Sequence, residues 1–301
     1  MRQIAIEADV LKGMAWMLAS TLVFSVMHLL IRLVSDELHP LVIIFYRNLF
    51  GVVVLMPVVL RYGIGVMKTS RPGMMFTRSV FNLISMALFF WALTISPLAQ
   101  VTALSFTFPI FLAILALLFL GEKVGPRRWL AILAGFGGAV IVVRPGLQDL
   151  ALGDVLTLIS AVTWAVTMLL IKLLSRTESS LTVTIYMMLS MLVLSVPTAI
   201  LFWSWPSLET LGLLFLLGAV GTAGQWMLTE ALRLADTSVV TPVDYSRLIW
   251  AAATGYLFFG ETPDWGVWVG GVVIALSASY IVYRERMAAR MQNRDGGKQA
   301  G

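Results

Sequence analysis

FSVMHLLIRLVS (Phe24–Ser35) returns 140 positions later as WAVTMLLIKLLS (Trp164–Ser175). In the same register Tyr46 returns as Tyr186 and Pro57 as Pro197. Further along, LFLGE (Leu118–Glu122) is matched by LFFGE (Leu257–Glu261). The chain is an internal duplication, and each copy holds five apolar runs. A helix needs roughly 20 mainly apolar residues to cross a bilayer. Ten spans are expected, at Gly13–Val34, Pro40–Leu60, Pro72–Ile95, Leu98–Leu120, Arg128–Val143, Gly153–Leu174, Leu181–Trp203, Leu211–Leu232, Val239–Phe259 and Trp265–Tyr283. Five is odd, so the second copy enters the membrane from the opposite side. The expected fold is an all-α integral membrane protein whose ten transmembrane helices form two inverted five-helix repeats. Repeats of this kind build secondary transporters, with the substrate site between the copies near the midplane.

Composition agrees. Apolar residues make up 59% of the chain and charged residues 12%, against about 25% charged in a soluble domain. There is no cysteine, which removes disulfides, thiol catalysis and cysteine-based metal sites. Residues 13–145 form the first repeat, 153–284 the second, and 285–301 a polar cytoplasmic tail expected to be disordered. The first apolar run lacks a clean cleavage site and reads as a retained helix.

Of the 21 lysines and arginines, only Arg32 and Arg144 fall outside when the N-terminus is placed in the cytoplasm. Arg47, Arg78 and Arg247 lie within spans, and the other sixteen fall on the cytoplasmic side. That bias puts both termini in the cytoplasm of a bacterial-type inner membrane. The basic residues orient the protein and meet anionic lipid. They are spread over short loops, which argues against nucleic acid.

Charges left inside spans are costly, at about 2.5–3.5 kcal/mol each near a helix centre, and need a partner or water. Asp244 and Arg247 share a face at i,i+3 in span nine. They are either a local ion pair or a proton-coupling site in which Asp244 carries the proton or meets a cationic group. Span four carries Ser105 and Phe108 at the matching positions, so the pair breaks the internal symmetry. Arg78 and Asn82 share a face one turn apart and can present donors to a carboxylate, or else bond neighbouring helices. Arg47 beside Asn48 has the same two readings, and its counterpart is Met187. His28, deep in span one, is either an interhelical hydrogen bond or part of a proton relay. Gln225 is a cavity candidate, and Trp164 and Tyr245 are candidate cavity walls, with core packing the alternative for each aromatic. Pro109, near the middle of span four, is expected to bend it. Gly266 and Gly270, and the run Gly218, Gly221 and Gly224, mark faces for close helix approach.

No nucleotide loop, nucleophile elbow or HExxH occurs, and nothing calls for a cofactor or metal. An enzyme is not expected. A receptor or scaffold that transports nothing is the rival reading, and the duplication disfavours it.

PLAQVTALSFTFPIF (Pro97–Phe111), LFLGEKVGPRRW (Leu118–Trp129), GFGGAVIVVRPG (Gly135–Gly146) and DTSVVTPVDYSRLIWA (Asp236–Ala251) together resemble the drug/metabolite transporter superfamily, of the EamA type. The resemblance covers both copies. It implies two inverted five-helix halves, a central cavity and alternating access. Members of that family move amino acids, purines, other metabolites and drugs, often outward and often against protons; the substrate expected here is a small polar or zwitterionic metabolite, an amino acid or related compound, exported against protons. Uptake of S-adenosylmethionine or a similar nucleoside-type metabolite is the alternative it admits. By position, the cavity would draw on His28, Arg78, Asn82, Ser105, Trp164, Gln225 and Asp244.

Overall fold

The computed structural model describes residues 2–62, 69–120, 126–143, 151–174, 177–178, 180–234 and 243–299. These fold into helices α1 (Arg2–Val34), α2 (Pro40–Tyr62), α3 (Pro72–Ile95), α4 (Leu98–Ser105), α5 (Phe108–Leu120), α6 (Pro126–Val143), α7 (Leu152–Leu174), α8 (Ser180–Leu201), α9 (Leu208–Leu234), α10 (Arg247–Phe259) and α11 (Trp265–Gln299). There is no strand among them. In hydrocarbon every backbone polar group must be satisfied within the segment, and these apolar runs answer with helix. Among the described residues, six apolar helical stretches, one of them spanning α4 and α5, are long enough to cross a membrane, and three shorter apolar stretches, Trp129–Val143, Ile185–Leu201 and Trp265–Ile281, join them. The remaining expected span, the ninth, includes α10. The connection from Pro145 to Leu152, Arg144 and the first-copy Glu122 lie wholly or largely outside the described residues. α11 runs on to Gln299, through most of the tail read as disordered.

α4 and α5 form one crossing that breaks at Phe106 and Thr107. The matching crossing breaks at the same place in the repeat, Tyr245 and Ser246, just before α10. At both breaks the backbone tightens to bonds three residues back: Thr107 N to Leu104 O, 3.0 Å, and Ser246 N to Val243 O, 3.0 Å. Pro109 removes the bond to Ser105 and crowds its carbonyl, as expected of proline. Leu248 stands in its place in the second copy, so proline is not the shared cause. Both breaks have a hydroxyl as second residue, and such side chains take over freed backbone groups: Thr107 Oγ1 donates to Leu104 O, 2.7 Å.

Hydrogen bonds between helix ends establish the inversion. On one face, Arg32 near the end of α1 donates to Ser96 O just past α3, 2.7 Å. Leu98 N at the start of α4 donates to Glu261, just past α10, 2.9 Å. Gln100 in α4 reaches Asp154 at the start of α7, 2.6 Å. Glu37 accepts from Ser207 and Thr210 at the start of α9. So α1, α3 and α10 end on the face where α7, α9 and α4 begin. Each helix is antiparallel to its repeat counterpart. On the opposite face Glu178 accepts from Thr69 Oγ1, 2.8 Å, and Ser70 N, 2.9 Å.

The most extensive packing pairs α1 with α9, α3 with α7 and α6 with α11, each joining one copy to the other. Within a copy, α1, α2 and α3 touch only lightly. One apolar core lies among α1, α2, α3 and α9, and a second among α4, α5, α6, α10 and α11. Outward faces stay apolar, with Leu118, Leu130, Leu201 and Leu257 all strongly exposed, as a lipid-facing surface requires.

The α6–α11 crossing depends on glycine. A Cβ on Gly138 would stand 2.9 Å from the Gly270 carbonyl and 3.1 Å from Ile274 N, both backbone atoms that cannot step aside. Gly137 next to it faces open space. Gly138→Val is therefore expected to cost about 1–3 kcal/mol of overpacking. Gly137→Ala should be neutral or gain up to about 1 kcal/mol from helix propensity. Thermal unfolding of the two purified variants checks the contrast.

Candidate functional site

The two broken crossings meet. Phe106 and Tyr245, the first residues of the two breaks, pack edge to face with ring centroids 4.8 Å apart. The Tyr245 hydroxyl is buried beside Ser279. Thr21 of α1 joins Ser246 through their hydroxyls at 3.1 Å. Asp244 and Arg247 flank this junction. Arg247 Nη2 donates to Asp244 Oδ2 at 2.8 Å, and the side chains keep 18% and 19% of their exposure. The guanidinium also lies over Phe106, 5.4 Å from its centroid, and 5.9 Å from that of Phe24. Arg247 Nε has no acceptor. His28 of α1 is buried. Its ring meets Phe89 edge to face at 5.2 Å, and its Nδ1 is buried without a partner. This group is a charged, aromatic-walled centre that is not fully enclosed.

Arg78, Asn82, Arg47 and Asn48 form a second layer, between α3 and α8 and between α2 and α9. Arg78 is 4% exposed. Its Nη2 donates to the Met187 thioether, 3.3 Å, while Nε and Nη1 have no partner. One turn on, Asn82 Nδ2 donates to the Met191 thioether, 2.9 Å. Sulfur is a weak acceptor. A buried donor left unmet costs about 1–3 kcal/mol, and more on a charged group. This layer has spare donors for an anion and, among the described residues, no acidic side chain that takes them. Arg47 Nη1 donates to Asn48 Oδ1, 3.0 Å, and Asn48 Nδ2 is buried without a partner. Arg47, Asn48, Gly51, Met188 and Thr222 line a narrow crevice with no room for a water in this state.

Other expected residues fall differently. Ser105 spends its hydroxyl on the Thr102 carbonyl, 2.7 Å. Trp164 and Gln225 are half-buried on α7 and α9. Below Arg78 and Asn82 the α3 stripe is structural: Ser85 and Ser160 exchange hydroxyl-to-carbonyl bonds of 3.0 and 2.9 Å, tying α3 to α7.

Sequence reasoning missed two features. Arg32, counted above on the outer side, also pairs with Glu261 at 2.6 Å and stacks on Phe259. Glu261 folds back because Gly260 takes a left-handed φ of 66° at the helix end, and Gly255 leaves room for the carboxylate. The repeated LFxGE carried that signal. The other feature is the methionine acceptors of α8, visible in the sequence only as the residues that replace Arg47 and its neighbours.

The sequence profile of the EamA-like transporter family matches residues 11–144 and again 151–283. An S-adenosylmethionine uptake transporter of Rickettsia bellii is 31% identical over 276 residues, covering 92% of this chain and 95% of that one. A riboflavin transporter of Vibrio cholerae is 32% identical over 293 residues, covering 96% and 98%. The pseudopaline exporter CntI of Pseudomonas aeruginosa is 28% identical over 276 residues, covering 89% and 95%.

Proposed function

We propose a function from an established premise: the chain belongs to the EamA-like transporter family. It is a multi-pass membrane transporter of a small molecule, not an enzyme. Our reading is that it is a secondary active carrier of a small zwitterionic metabolite, working by alternating access between repeats 13–145 and 153–284. Both termini lie in the cytoplasm and the membrane is the bacterial inner membrane, as the lysine and arginine distribution favours.

One observation carries the reading: Arg78, almost wholly buried, holds two donor atoms that no residue meets and bonds only a thioether. A carboxylate would complete that geometry with charge-assisted bonds. The substrate's ammonium group, or a coupling proton, would meet Asp244, whose Arg247 partner can release it in exchange. Proton-coupled export of an amino acid or related compound is the primary direction, and the similarity to a pseudopaline exporter supports it. Uptake of S-adenosylmethionine is the second, supported by four Rickettsia relatives of that name. S-adenosylmethionine is itself a carboxylate-bearing cation and is the first compound to test in either direction.

Flux of labelled S-adenosylmethionine into proteoliposomes, with riboflavin as the uncharged comparison, tests the reading. Arg78→Gln is expected to weaken zwitterionic and anionic substrates at least about tenfold and cationic ones much less. Riboflavin flux with no flux of any carboxylate compound would overturn it, and an equal loss for all substrates in Arg78→Gln would make Arg78 structural.

A further inference from the structure

The α3–α8 and α2–α9 contacts are counterparts under the internal repeat, and each holds one arginine, Arg78 buried and Arg47 partly buried, contributed by the opposite partner. In the first, Arg78 comes from α3 and α8 offers Met187, the counterpart of Arg47. In the second, Arg47 comes from α2 and α9 offers glycine: a Cβ on Gly221 would stand 3.2 Å from Arg47 Nε. The soft or small residue opposite keeps each guanidinium from a permanent salt bridge. Arg47 sits seven residues into α2 from the face of Arg32 and Glu261, roughly 10 Å deep. Arg78 sits six residues into α3 from the face of Glu178, roughly 9 Å deep. The two charges thus occupy opposite halves of the membrane, as a two-fold axis in its plane demands.

We infer that Arg47 and Arg78 are a symmetry-related pair of anion stations, one per membrane half, that take the substrate carboxylate in turn as the carrier changes its facing. The inference rests on the carboxylate reading above. In an inverted repeat, opening one lateral interface closes its counterpart. Arg47 is therefore reached from the Arg32 face and Arg78 from the Glu178 face, never both at once. Asn48 and Asn82, one beside each arginine, supply the neutral donors of the two stations.

The chain has no cysteine, so Arg47→Cys and Arg78→Cys each place one thiol in it. A membrane-impermeant cationic methanethiosulfonate is applied to either side of oriented proteoliposomes. The expected result is modification of Arg47→Cys at least about tenfold faster from the Arg32 face, and of Arg78→Cys from the other. Modification of both from one face, or of neither from any, would overturn the pair. S-adenosylmethionine should slow both reactions; sided modification that it leaves untouched keeps the stations and rejects the substrate. Because a cysteine at a buried site can cost folding, Arg47→Met and Arg78→Met are assayed for exchange in both directions. Each should raise KM about tenfold from its own face and leave the other within about twofold. Equal rises from both faces would overturn the assignment.

Discussion

Asp244→Asn is expected to uncouple the carrier, lowering proton-driven accumulation at least about tenfold while substrate exchange at equal pH stays within about threefold. The amide keeps the shape and can still accept from Arg247 Nη2, now 2.8 Å from the carboxylate. It cannot bind and release a proton at physiological pH, and it cannot neutralise Arg247. The structural cost is small. Breaking a fully buried pair costs about 3–5 kcal/mol. These side chains keep close to a fifth of their exposure, which pulls the loss toward the surface value of about 1 kcal/mol or less. Insertion and thermal stability should therefore survive while coupling does not. Transport assays with and without an imposed pH gradient make the separation, and full gradient-driven activity in Asp244→Asn would remove Asp244 from the mechanism.

Glu261 carries the second large effect. Its carboxylate pairs with Arg32 at 2.6 Å and accepts from Leu98 N at 2.9 Å. It thereby joins the end of α1, the start of α4 and the loop after α10 on one face. Glu261→Gln keeps an acceptor for Leu98 N and loses the ion pair, an expected cost of about 1–2 kcal/mol. Glu261→Ala also leaves the Leu98 amide unmet and Arg32 without its partner, an expected cost of about 2–4 kcal/mol. Both variants should loosen this face and slow turnover, alanine the more. Thermal unfolding in detergent and hydrogen exchange at residues 96–100 check the order, and an alanine variant as stable as the parent would dismiss the latch. In the sequence the repeat places Lys172 at the position of Arg32 and Glu122 at that of Glu261.

The inverted architecture was legible because it rests on local signals that the duplication states twice: span length, Tyr46 with Tyr186, and LFLGE with LFFGE. The Asp244–Arg247 pair was legible because i,i+3 spacing on one helix decides it. The breaks were half legible. Pro109 announced one, but Leu248 stands at the matching position, and the shared hydroxyls Thr107 and Ser246 are too common to signal a turn by themselves. The partners of Arg78 and Asn82 were not legible. They lie 109 residues away on α8, and only the packing of α3 against α8 decides which apolar side chains arrive there. The pairing of Arg32 was not legible for the same reason: its partner Glu261 lies in a loop more than 200 residues downstream.

Counterflow of labelled S-adenosylmethionine tests the account most directly, because alternating access requires substrate on the far side to accelerate return of the empty site. Proteoliposomes loaded with unlabelled compound should accumulate label transiently, several-fold above unloaded ones, and Arg78→Gln should lower the overshoot at sub-saturating substrate. Label entering at one rate whether or not the vesicles are loaded, or an overshoot unchanged in Arg78→Gln, would contradict it.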